Sequence, residues 1–211
     1  MVGGRRYRGG RGAATAGLLA VALGLACGKG EGGGGGAGAA LGAVEDYLRH
    51  SKAAEPKTQV GAIARSALVA FEREHASQDL LEPGMAAAVS RRLCGAAVAV
   101  PAEVPKGKKY QPDTAEGRDF HTGDAERGWR CLRFDVAEPI YCQYSYAADT
   151  GFKASARGYG RPLGPGAFEA AAECDFDGDG KTSFYARIGR VDPEAGAVQL
   201  DPELFVVDDG E

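Results

Sequence analysis

Ile140-Tyr141-Cys142-Gln143-Tyr144-Ser145-Tyr146 decides how the chain is read. Ile and Tyr are residues of a pleated, half-buried surface, and here they alternate with smaller or polar neighbours, so a β-strand is expected. Downstream, Phe168–Cys174, Ser183–Ile188 and Val198–Phe205 are three further strand candidates, separated by turns rich in Gly or Asp. Upstream, Trp129, Cys131 and Phe134 alternate loosely with Arg130, Leu132 and Arg133, which suggests that the strands begin there.

The pattern before residue 101 is different. Val60, Ile63, Ala64, Ala67, Leu68 and Phe71 recur at helical spacing, and Val44, Tyr47 and Leu48 extend the series backwards. Together they predict an amphipathic helix from Ala43 to about Glu74. Pro56 lies inside it and is expected to kink the helix or to begin its better-ordered half. After a loop carrying Glu82-Pro83-Gly84, Met85–Leu93 reads as a short helix. Residues 101–128 are dense in Pro, Gly and charge and read as a long surface loop, which in a compact domain needs a reason. A long helix, a loop region and about four antiparallel strands make an α+β domain, with the helix packed on the sheet.

The N-terminus belongs to none of this. Arg5, Arg6, Arg8 and Arg11 precede an apolar run from Ala13 to Ala26, shorter than the ~20 residues of a spanning helix. That is the pattern of a secretory signal, and residues 1–26 are excluded from the fold. Leu23-Gly24-Leu25-Ala26-Cys27 resembles a bacterial lipobox, with Gly24 where that pattern usually has Leu. The resemblance implies an acylated Cys27 and a lipid anchor in the cell envelope, at the outer membrane or the periplasmic face; the alternative is an ordinary signal cut near Ala26. Residues 27–42, mostly Gly and Ala, offer almost no apolar area and read as a tether, leaving 43–211 as the folded body.

The chain has 211 residues, with 25 basic against 29 acidic side chains. Loss of the four leader arginines leaves 21 against 29, a net charge of −8. An acidic body without a basic, aromatic-laced stripe argues against nucleic acid as a partner. Of five cysteines, removing Cys27 leaves four, an even set that in an exported domain suggests two disulfides with three possible connectivities.

A family resemblance runs through the body. Ser51-Lys52-Ala53-Ala54-Glu55-Pro56-Lys57-Thr58-Gln59-Val60-Gly61-Ala62-Ile63 resembles a stretch of type IV pilins, especially pilin-like proteins of Deltaproteobacteria. Leu93-Cys94, Lys109-Tyr110-Gln111-Pro112, Gly128–Phe134, Tyr141–Tyr146 and Asp175–Gly180 are similar to that family's motifs, in the same order. The resemblance implies a pilin-like head, Cys94 paired with Cys131, and Cys142 paired with Cys174. It implies a non-enzymatic role beside pilus or secretion-system proteins, as an accessory to a type IV pilus or type II secretion system. The prepilin cleavage site and the ~20-residue apolar helix of pilins are not in this sequence, so a head carried on a lipid anchor is expected.

One motif could carry chemistry. Asp175, Asp177, Asp179 and Gly180 form the opening of an EF-hand-like calcium loop, in which alternate oxygens converge on a hard cation. Lys181 would add a backbone carbonyl and Ser183 an oxygen or a bridged water. The twelfth position is Ala186, where such a loop has Glu, so a further ligand would have to come from elsewhere. Pseudopilins of type II secretion, a class related to the family, place calcium near their C-terminal sheet. A hairpin turn held by Asx bonds is the competing reading. A calcium-dependent protein- or glycan-binding module is therefore the alternative function. His50, His75 and His121 are scattered through polar surroundings, no nucleophile or phosphate-loop motif occurs, and no enzyme is expected.

Overall fold

The computed structural model describes residues 36–73, 75–76 and 89–211. The expected leader, Cys27 and most of the expected tether lie outside the described residues, as do 85–88 of the expected short helix. The chain forms an α+β body in which helix α1 (Gly36–Glu72) packs on an antiparallel sheet and two disulfides cross-link the strands and loops.

Helix α1 begins at Gly36 rather than Ala43, so the end of the glycine–alanine run is helical. Each residue added to an existing helix gains a hydrogen bond, and Ala37, Ala39, Ala40 and Leu41 are good helix formers between the glycines. The helix also runs through Pro56, which is buried, without a break. Flanking side chains hold that turn to the sheet. Glu55 Oε1 accepts the Tyr141 N–H and the Tyr144 hydroxyl, each at 2.9 Å, and Lys52 Nζ donates to the Phe176 carbonyl at 2.8 Å. From Ala53 onward one face of α1 is buried: Val60, Ile63, Ala64, Ala67 and Ala70 are at most 1% exposed.

Strands β1 (His75–Ala76) and β2 (Val89–Ser90) pair with each other. The expected helix over Met85–Leu93 is thus corrected at its described end: Val89, β-branched and stiff in a helix, joins the ladder instead. The main sheet runs β3 (Ala97–Val100), β4 (Cys142–Ala148), β5 (Ala167–Cys174), β6 (Ser183–Asp192), β7 (Ala197–Leu200), and β8 (Phe205–Val207) also pairs with β6. Val198–Phe205, read as one strand, is two, because Asp201-Pro202 turns the chain between them. β6 is long enough to pair with β7 through Gly189–Asp192 and with β8 through Phe184–Ala186.

Gly128–Leu132 is a short helix, α2, not the first strand. Arg133 adopts a left-handed conformation (φ 55°) and ends it, and the Phe134 N–H reaches the Trp129 carbonyl at 3.3 Å. A helical turn gathers Phe120, Trp129 and Phe134 into one edge-packed cluster, with ring centroids 5.0–5.6 Å apart. Phe120 comes from the long 101–128 segment, mostly irregular but with a 3-10 turn at Asp119–His121 that carries this ring into the core.

The sheet is covered on both faces. Tyr144, Tyr146, Phe168, Ala170 and Tyr185 face the α1 side, while Ala171, Phe184, Ala186 and Ile188 form a second cluster under Ala154, Tyr159 and Leu163. Strand β5 is therefore buried on both sides and shows little alternation, and its alanines let α1 approach closely. At Gly189 an added Cβ would lie 2.4 Å from the Phe168 ring, so no larger residue fits beside that ring.

Candidate functional site

The Asp175–Gly180 turn joins β5 to β6 and is placed by their pairing, which ends at Cys174 opposite Ser183. Two backbone groups of the 101–128 loop brace it. Lys106 bridges to Asp175, and the Gly107 N–H donates to the Asp175 carbonyl at 2.9 Å. Gly178 and Gly180 have φ of 85° and 92°, the left-handed region in which a side chain is strained, so the turn depends on glycine at both places.

The structure brings Asp175, Asp177 and Asp179 together, with one carboxylate oxygen of each within 4.8 Å of the others. Asp175 is buried and the other two are exposed. Backbone donors occupy several of these oxygens. Asp175 accepts from Gly178 at 2.6 Å and Gly180 at 3.1 Å, Asp177 from Asp179 at 3.1 Å, and Asp179 from Lys181 at 2.8 Å. The Lys181 ammonium also sits 3.2 Å from Asp179. The Lys181 N–H and side chain hold the Asp179 carboxyl below its ordinary range.

Ser183 does not join them through its side chain. It is fully buried, and its Oγ lies 2.7 Å from the Asp208 carbonyl and accepts the Gly210 N–H at 3.1 Å. Its role is to dock the last described residues against β6, together with Tyr185, whose hydroxyl donates to Asp209 at 2.8 Å. Burial and that carboxylate push the Tyr185 phenol up to about 12. Ala186, the loop's twelfth position, is buried in the second core cluster. The turn can thus offer three carboxylates to a hard cation; a complete shell would need further oxygens from water or a bound molecule.

A cleft of about 500 Å³ borders the turn, lined by Leu48, Arg49, Lys52, Gly107, Phe176 and Asp177 among others. Beside it, Lys52 and Lys109 lie 5.3 and 4.7 Å from the Tyr141 ring centroid. Neither lysine is legible as a partner of Tyr141 from spacing, since all three come from different segments.

The four cysteines of the body form Cys94–Cys131 and Cys142–Cys174. Cys142 and Cys174 sit directly opposite in the β4–β5 ladder, with Cα atoms 4.4 Å apart. Cys94–Cys131 ties the segment before β3 to α2, where a helix-to-strand link was expected. Among the described residues no helix is long and apolar enough to cross a membrane. Comparison of the chain with protein-family models, curated proteins and solved structures finds no match.

Proposed function

We propose that the chain is a non-enzymatic protein of the cell envelope, held to a membrane by acyl chains on Cys27 and presenting a pilin-like head as an accessory to a type IV pilus or type II secretion system. The observation that carries this reading is the cysteine arrangement. Two disulfides cross-link one small α+β body, as in proteins of oxidising compartments, and Cys27 is left over in front of it. The order of the pilin-like motifs along α1, α2, β4 and the β5–β6 turn supports the family part of the reading. Intact mass and N-terminal peptide mapping of the protein from its native membrane test the anchor. A mature chain beginning at acylated Cys27 is expected; an unmodified start there overturns it. Co-purification with an envelope or pilus component tests the accessory role, and its failure removes that role.

A second reading, an exported calcium-dependent protein- or glycan-binding module, is favoured by the three converging carboxylates of Asp175, Asp177 and Asp179. Affinity in the extracellular range of roughly 10⁻⁴–10⁻³ M is expected. Millimolar calcium then raises the melting temperature over that in chelator through preferential binding to the folded state. Superimposable melts would sink this reading.

A further inference from the structure

The second half of α1 and the end of α2 enclose a cleft of about 330 Å³ that none of the foregoing uses. Buried Leu132 and half-buried Ala62 make its floor apolar, and Val69 beside them is 65% exposed. Arg65, Arg73 and Arg133 line it. Elsewhere the arginines mostly have acidic neighbours: Arg92 with Glu126, Arg130 with Glu116, Arg157 with Glu173, and Arg161 and Arg190 with Asp201. Around this cleft, among the described residues, no carboxylate lies within 4 Å of any of the three guanidinium groups. Three arginines without a described acidic neighbour thus gather at one cleft in a chain with more acids than bases.

Arg73 is the centre of the arrangement. One of its Nη atoms donates to the Cys131 carbonyl at the end of α2, which fixes the side chain, while its buried Nε has no hydrogen-bond partner among the described residues. Burial, and after it the neighbouring Arg133, hold its pKa below the ordinary arginine value.

We propose that this cleft docks an acidic segment of a partner polypeptide, a carboxylate pairing with the guanidinium groups while an adjoining apolar side chain covers Val69. Planar guanidinium groups match carboxylates in a two-pronged geometry. The apolar floor favours a carboxylate with a hydrophobic neighbour over a bare, strongly hydrated anion. The volume is enough for one or two side chains. The inference stands apart from the anchor and from the pilin-like reading, so neither the mass measurement nor the calcium melts bear on it.

The test is a titration of the mature chain followed through the Nε–H resonances of its arginines, with an acetylated Glu-Phe-Glu peptide as probe. Saturable shifts at Arg65, Arg73 and Arg133 are expected, with affinity reduced about tenfold in Arg65→Gln, one charged contact being removed. Arg65 is exposed, so this variant keeps its fold where Arg73→Gln would also release Cys131. The proposal is overturned by the absence of saturable shifts, or by equal shifts with Lys-Phe-Lys. Stronger shifts with inorganic phosphate or a single-stranded oligonucleotide overturn it too, as does a concentration-dependent shift without peptide, which assigns the cleft to a second copy.

Discussion

Glu55 reads in the sequence as one more polar position on a helix, yet it joins α1 to β4. Both of its bonds, from the Tyr141 N–H and the fully buried Tyr144 hydroxyl, end on the same oxygen. Glu55→Ala leaves two donors without an acceptor and is expected to cost about 1–3 kcal/mol in urea unfolding. Glu55→Gln keeps a carbonyl oxygen and should lose less than half of that; equal losses would contradict the account. Glu169 and Glu173, both on β5, oppose each other with pH. Burial raises Glu169, outweighing the Lys153 and Ala154 N–H groups that it accepts from. Burial would also raise Glu173, but Lys153 (2.5 Å) and Arg157 outweigh it and hold its carboxyl low. The raised Glu169 stabilises the fold fully below the unfolded Glu value of about 4.3 and loses that contribution as pH climbs through its folded value. The lowered Glu173 stabilises above about 4.3 and loses its contribution as pH falls through its folded value. Unfolding free energy measured against pH should therefore lose its rise toward pH 4 in Glu169→Gln and its fall below pH 4 in Glu173→Gln. Unchanged profiles would count against both assignments. Neither role shows in the run Ala167–Cys174, because which carboxylate meets Lys153 depends on the short helix Lys153–Ala156, distant in sequence, returning over the sheet.

The helix and the Cys142 strand were legible because each carries its own periodicity, 3.6 for Val60–Phe71 and 2 for Ile140–Tyr146. Gly128–Leu132 was misread because five residues hold only about 1.4 helical turns, too short to distinguish a helix from an irregular strand by spacing. What settles it is the meeting of Trp129 with Phe120 and Phe134, together with the Trp129 indole N–H donating to the Val98 carbonyl at 2.9 Å. Ala97–Val100 alternates Ala with strand-favouring Val, but four residues are too few to read as a strand alone, and it pairs with Tyr144–Tyr146. The two disulfides span 37 and 32 residues, so chain entropy assigns each about 4 kcal/mol. Replacing either pair by serines should lower the unfolding free energy by similar amounts. A loss confined to one pair would place the other in a region that retains its order when unfolded.

Across the whole molecule, burial begins at Ala53, whereas Val44, Tyr47 and Leu48 on the preceding turns of α1 are 52–73% exposed. A chain starting at Arg49 should consequently keep its unfolding free energy within about 0.5 kcal/mol of the longer one, as for changes away from the core. A larger loss would mean that the exposed turns are covered in solution. Residue order alone determined the α+β class, the helix position, the clustering of Asp175, Asp177 and Asp179 in one turn, and the isolation of Cys27 from the cysteines of the body. These follow from local spacing, turn chemistry and counting. The path of α1 through Pro56, the splitting of the last strand, the use of Ser183 to hold residues 208–211, and the arginine cleft of α1 and α2 were decided only by tertiary structure. Each depends on groups distant in sequence meeting across a packed sheet, where burial and available partners outweigh what neighbouring residues prefer.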